Sequence, residues 1–329
     1  MRLSWEIDKI RCKAFINTFI IYFVLLIDFE GGYKMYKVGF IGLGIMGNPM
    51  AGHILNAGYP IFVYNRTRQK ADNLIKKGAI FVDTPSLIAQ HADIIITMVS
   101  DTKDVEEVLF GEDGVYEGIK PNDNKIVIDM STISSEITKQ FASKLKQIGC
   151  EMLDAPVSGG DIGAVNATLT IMVGGCINAY NTALPVLQKM GKTVTHLGPI
   201  GSGQACKMAN QIMGAVNLIG LCEGMILASK EGLNLDKFLE VVSGGMAAST
   251  QLKINGPKIA NRDFSAGFFT DLMVKDLNLV QSSQGGHNLF SPATSLAKQM
   301  LVATQAIGSG RDGMQAVIKA YEKLCNHTV

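Results

Sequence analysis

The chain has 329 residues, room for two domains of ordinary size, and 47% of them are apolar, enough for a sizeable core. Its 30 Lys and Arg against 29 Asp and Glu leave a formal net charge of +1, which excludes the general basic field of a nucleic-acid or anionic-membrane binder. The six cysteines form no CxxC pair and the five histidines no HxxH or HxxxH spacing, so the thiols read as free in a reducing cytosol and no metal site is expected.

Residues 1–34 differ from the rest. Arg2, Lys9, Arg11 and Lys13 precede an apolar run from Phe15 to Ile27, the order of a signal or an anchor. The run falls short of the roughly 20 apolar residues that span a bilayer, and Asp28 and Glu30 follow it in place of a small-residue cleavage site. Met35 stands directly before the first strand signal. The segment reads first as an extension ahead of a true start at Met35. The alternatives are a membrane anchor through residues 14–29, which would make a membrane a partner, and a cleaved targeting peptide.

From Tyr36 the pattern alternates between strand and helix. Short β-rich runs at Val38–Ile41, Ile61–Tyr64, Ile94–Met98, Ile126–Asp129 and Leu169–Val173 are separated by helix-length segments such as Ala51–Asn56, Lys70–Lys77 and Ser134–Ile148. That alternation predicts βαβ units and a doubly wound parallel sheet over residues 36–198. Ser134 or Ser135 is placed to cap the helix that follows. Gly198-Pro-Ile-Gly-Ser-Gly203 marks a break, and helical spacing alone continues through 204–231, 235–243, 271–284, 292–307 and 313–325. Residues 199–329 are therefore expected to be all-helical, joined to the α/β part by a long helix.

The first strand runs into Gly42-Leu43-Gly44-Ile45-Met46-Gly47, a GxGxxG turn that opens a helix. Gly42 permits the tight turn, Gly44 lets backbone approach a pyrophosphate, and Gly47 lets helix pack on strand. The helix start then offers free N–H groups to phosphate. At the end of the second strand, where a carboxylate would bind the ribose hydroxyl of NAD, stand Asn65, Arg66 and Thr67. Arg66 can pair with a 2′-phosphate and Thr67 can donate to it, which favours NADP(H) and leaves NAD(H) possible.

Lys207 is the only Asp, Glu, Lys or Arg between Lys192 and Glu223. On a helix it shares a face with Gly203, Asn210 and Gly214. A positioned ammonium stabilises the negative charge that builds on a carbonyl oxygen during hydride transfer and can supply the proton. Asn210 could hold the lysine or a substrate hydroxyl. The other reading is a lysine that snorkels past apolar neighbours to water; the local pattern leaves both open.

Four blocks in order — Gly42-Leu-Gly-Ile-Met-Gly47, Asp154-Ala-Pro-Val-Ser158-Gly159-Gly160, the Gly203…Lys207…Asn210 helix and Lys275-Asp276-Leu277 — resemble the β-hydroxyacid dehydrogenase family over residues 36–325. Its members act on 3-hydroxyisobutyrate, tartronate semialdehyde, or glyoxylate and succinic semialdehyde. The resemblance implies a Rossmann domain, a long helix and an all-α domain, usually in a homodimer or homotetramer. It implies Lys207 as the catalytic acid/base. Ser131, Thr132, Ser158, Gly159 and Gly160 would bind the carboxylate of a small substrate. Val99, Ser100 and Thr132 would contact the cofactor, and Lys275 would reach it from the helical part. Relatives often carry Asn four residues after the lysine; here Gln211 stands there and Asn210, at three, is taken as the second catalytic residue. Two alternatives keep the fold: a dinucleotide-binding scaffold without catalysis, which an intact Lys207 argues against, and an imine reductase, a group that generally lacks the lysine.

Overall fold

The computed structural model describes residues 35–121, 123–284 and 288–329; the N-terminal expectations above lie outside them. Among the described residues nine strands form one sheet: β1 (Val38–Ile41), β2 (Ile61–Tyr64), β3 (Ile80–Phe81), β4 (Ile94–Thr97), β5 (Ile126–Asp129), β6 (Glu151–Asp154), β7 (Val157–Ser158), β8 (Leu169–Gly175) and β9 (Gly191–Gly198). Between them run α1 (Gly47–Asn56), α2 (Asp72–Lys76), α3 (Pro85–His91), α4 (Thr102–Phe110), α5 (Val115–Gly118), α6 (Ser135–Lys146), α7 (Gly160–Val165) and α8 (Ile177–Leu187).

The order β3-β2-β1-β4-β5-β6 is parallel throughout. The order reverses between β1 and β4, and the crevice beyond their carboxyl ends is where such sheets bind ligands. The strands are short and apolar on both faces because helices cover both. Ile94 and Ile96 join the cluster around Phe40 and Met50, while Ile95 joins the one around Ile88 and Leu109. The sheet does not stay parallel. β8 runs antiparallel to β6 and β7, and β9 pairs parallel with β8.

After β9 the described residues form α9 (Ser202–Lys230), α10 (Leu235–Ser243), α11 (Thr250–Ala260), α12 (Thr270–Gln284), α13 (Pro292–Ala306) and α14 (Val317–Cys325). α9 is long and apolar enough to cross a bilayer by length and composition. Here it is a spine, with α10 to α14 packed around it and its first turns against β8 and β9. Its buried face (Met208, Ala215, Leu218, Cys222, Met225) centres a second core with Leu239, Leu252, Leu277, Leu301 and Val317. α9 therefore belongs to both halves: its first turns dock on the sheet and the rest organises the helices.

Candidate active site

The crevice at the β1/β4 reversal is a cleft of about 360 Å³. Its floor is the glycine turn. A Cβ on Gly42, which has φ +99°, would overlap the carbonyl of Met98, and one on Gly47 would overlap the carbonyl of Gly42. Gly44 has no atom within 4 Å of where a Cβ would lie, so its open side is free for a phosphate to approach. α1 starts here with no side-chain cap and no acidic residue in its first turn, leaving its N–H groups and positive end for an anion. These features fit a dinucleotide.

The second wall comes from the end of β2. Asn65 is bound into the fold: its Oδ1 accepts from Leu43 N (2.8 Å) and its Nδ2 donates to the carbonyl of Thr67 (2.8 Å). Arg66 is exposed, 4.0 Å from Asp104 on α4, and lines the cleft with Thr67 and Lys70. Met46, Val99, Ser100 and Thr132 also line it, and the helical part closes it with Phe268, Phe269, Leu272, Lys275 and Asp276. Of the residues expected to hold cofactor, Leu43 alone does not line the cleft. Its side chain lies in the core, 1% exposed, and its N–H goes to Asn65.

Lys275 spans the two halves, with Nζ donating to the carbonyls of Ser100 (3.0 Å) and Thr132 (2.8 Å). It also stands 3.0 Å from Asp276 Oδ1 without hydrogen-bond alignment, so that buried oxygen has no hydrogen-bond partner among the described residues. Asp276 Oδ2 accepts from Gln211 Nε2 (2.7 Å), and Asn210 Nδ2 donates to Gln211 Oε1 (2.9 Å).

Lys207 does not snorkel to water: it is 7% exposed, on the buried face of α9. Burial pushes its pKa below the ordinary lysine value; Asp276 pulls it back up and Lys275 pushes it down further. The lysine is not itself a wall of the dinucleotide cleft, but both charges it responds to are. Asn210 makes no hydrogen bond to it; Gln211, four residues after the lysine, links α9 to Asp276.

Ser131 is 1% exposed, and its Oγ accepts from Val99 N (3.0 Å). Below it Asp129 is fully buried. Its Oδ1 accepts from Thr97 Oγ1 (2.8 Å) and Ser131 N (3.0 Å), its Oδ2 has no partner among the described residues, and burial pushes its pKa up to about 6. Ser158 lies at the end of β7, and Gly159 and Gly160 turn with positive φ into α7. None of the three lines the dinucleotide cleft. The next residue, Asp161, packs against cleft residue Gly267, where a Cβ would stand 2.6 Å from its Oδ1.

Two buried polar residues carry roles that no local pattern announces. Asp154, at the end of β6, caps α9 from outside, its Oδ1 accepting from Gly201 N and its Oδ2 from Gln204 N, both at 2.7 Å. Gln204 is 0% exposed; its Nε2 donates to the carbonyl of Ser131 (2.7 Å) and its Oε1 accepts from Ile133 N (3.2 Å). Asp154 stands out in the sequence only as part of a block, and Gln204 carries no signal there at all.

Comparison with known proteins agrees with this geometry. Residues 37–198 match the NAD-binding domain of 6-phosphogluconate dehydrogenase, and residues 201–321 match the NAD-binding domain of NADP-dependent 3-hydroxyisobutyrate dehydrogenase. The 2-hydroxy-3-oxopropionate reductase of Escherichia coli is 40% identical over 291 residues, covering 88% of this chain and 99% of its own. A structure of Mycobacterium tuberculosis 3-hydroxyisobutyrate dehydrogenase with L-serine superposes with a TM-score of 0.79 at 31% identity, over 88% of this chain and 99% of that one. An imine reductase from a Pseudomonas species shares the fold more distantly, at 22% identity and a TM-score of 0.58 over 88% of this chain and 100% of that one. The chain belongs to the β-hydroxyacid dehydrogenase family, oxidoreductases that bind a nicotinamide dinucleotide and act on CH–OH groups.

Proposed function

We propose that the protein is an NADP(H)-preferring enzyme that interconverts a small hydroxy acid and its semialdehyde or oxo acid, with Lys207 as acid and base. The carrying observation is a buried lysine that makes no side-chain hydrogen bond among the described residues, on the helix that joins the dinucleotide cleft to the helical core. A buried ammonium is costly, and a site of this kind is where such a charge has a use. A nicotinamide dinucleotide held by the Gly42–Gly47 turn, Thr132 and Lys275 would supply or take the hydride. Lys207 gives its proton to the carbonyl oxygen as carbon gains the hydride, and in the reverse direction neutral lysine takes the hydroxyl proton. Burial lowers the lysine pKa and so makes the neutral form more accessible. Ser158 and the N–H groups of Gly159 and Gly160 receive the substrate carboxylate, with Ser131 and Thr132 on the nicotinamide side and Asn210 beside the lysine.

Three further features support the reading. The exposed Arg66, Thr67 and Lys70 offer positive charge and a hydroxyl where a 2′-phosphate would lie, while Asn65 gives its oxygen to the glycine turn. Exposed apolar residues on the helical part, among them Met213, Leu227, Val241 and Met246, fit a homodimer or homotetramer. Five described cysteines are free thiols, which fits a reducing compartment such as the cytoplasm.

The test is NADPH consumption with a panel of two- to four-carbon semialdehydes and oxo acids, and with a cyclic imine, for wild type and Lys207→Ala. Wild type should turn over at least one acid, and the variant should lose about 10²–10⁴-fold in kcat. The wild-type reduction should also fall as pH rises through a lysine pKa below 10.5. Equal rates in the two proteins would remove Lys207 from the mechanism. Turnover of the imine alone would favour an imine reductase, and none at all a binding protein.

A further inference from the structure

Three consecutive residues of the β5–α6 loop are each held by a side chain from the other half of the molecule. The carbonyl of Ser131 accepts from Gln204 Nε2, the carbonyl of Thr132 from Lys275 Nζ, and the N–H of Ile133 donates to Gln204 Oε1. The middle residue, Thr132, lines the dinucleotide cleft. The two grips differ. Lys275 is partly exposed and its partners are carbonyls at the cleft mouth, whereas Gln204 is wholly buried with both ends of its amide in use. The backbone N–H of Gln204 is itself tied to Asp154, so the residue is fixed at both main chain and side chain. Gln204 precedes Lys207 by three residues, one turn along the same buried face of α9.

We propose that Gln204 is a positioning residue for the reaction: it sets the register between the loop that borders the nicotinamide site and the helix turn that carries Lys207. The proposal rests on the reading of Lys207 as acid and base. A shift of about 1 Å between reacting groups can cost about 100-fold in rate, and no other side chain among the described residues bonds both the residue before and the residue after Thr132. Lys207 does the chemistry; Gln204 acts through it and touches neither substrate nor cofactor.

Two variants test this. Gln204→Met keeps length and burial but removes both hydrogen bonds. It should lower kcat at least 30-fold while KM for NADPH changes less than threefold. Gln204→Glu adds a signature that a merely structural role lacks. A protonated glutamic acid can donate to the Ser131 carbonyl and accept from Ile133 N, whereas the carboxylate cannot donate. Burial, with the Asp154 carboxyl bonded to the same residue's N–H, holds the introduced group protonated to higher pH than usual. The kcat of Gln204→Glu relative to wild type should therefore be highest at low pH and fall at least tenfold as pH rises. A Gln204→Met enzyme with wild-type kcat, or a Glu-to-wild-type ratio flat from pH 5 to 9, would overturn the proposal. If Gln204→Met does not fold, the ratio alone decides. Lys207→Ala, measured alongside, separates the two readings: a dead Lys207→Ala with a fully active Gln204→Met rejects the positioning role alone, while a fully active Lys207→Ala rejects the acid/base role beneath it.

Discussion

Arg66 carries the choice between the two nicotinamide cofactors. Its side chain is 83% exposed and 4.0 Å from Asp104, so part of its charge is already answered. An exposed guanidinium–phosphate pair sits at the low end of the roughly 1.5–3 kcal/mol range for charged hydrogen bonds. Arg66→Ala should therefore raise Kd for NADPH about tenfold and leave Kd for NADH nearly unchanged, as measured by the change in nicotinamide fluorescence on binding. Equal losses would mean that Arg66 stacks on the adenine common to both. Residues of this kind are legible from sequence because their meaning is local. The glycine turn, the missing acid after β2 and Lys207, the one charged residue between Lys192 and Glu223, are each noticeable from a few neighbours along the chain. Gln204, Asp129 and Asp276 are not. Each is a common polar residue whose role is set by a partner from another element, such as Ser131 for Gln204 and Thr97 for Asp129.

The same division holds for elements. The five strands expected from apolar runs are present, as are the long helices of the second half, since period and length suffice for these. Four strands carry too little pattern. β3 and β7 have two residues each, β6 reads Glu-Met-Leu-Asp, and β9, on an edge, sets Val194 and Leu197 among Lys192, Thr193, Thr195 and His196 with no strict alternation. α11, which holds Gly256 and Pro257, lacks the propensity signal that packing on α9 and α10 replaces. The start of α9 shows what such a reading misses. The Gly-rich break at 198–203 reads as a helix start, but its cap, Asp154, comes from a strand 47 residues away and satisfies two buried N–H groups. Burial raises the Asp154 pKa above the ordinary carboxylate value, and the backbone hydrogen bonds from the helix it caps hold that rise down. Asp154→Ala strips that cap and should cost roughly 2–4 kcal/mol of stability, the sum of a lost N-cap and an orphaned buried donor. Urea denaturation checks this; a loss under about 0.5 kcal/mol would mean that water replaces the cap.

At the scale of the molecule, the two halves meet along a seam with a fixed side and an exchangeable side. The fixed side is the docking of α9 through Asp154 and Gln204, where every group is buried. The exchangeable side is Lys275, whose Nζ joins the carbonyls of Ser100 and Thr132 across the cleft mouth. Carbonyls at a cleft mouth can turn to water, but the lysine also stands 3.0 Å from the buried Asp276, so removing it leaves that carboxylate without its counter-charge and costs roughly 1–3 kcal/mol of stability. The effect should fall on closure as well. In Lys275→Ala the amides of residues 99–101 and 131–133 should exchange hydrogen faster, KM for the dinucleotide should rise several-fold, and the denaturation midpoint should fall. Gln204→Met should differ at the fixed side, lowering the midpoint and kcat while cofactor affinity holds. If Lys275→Ala raised KM with no change in exchange at either loop, the lysine would be a cofactor ligand only, and the seam would be held closed by α9 alone.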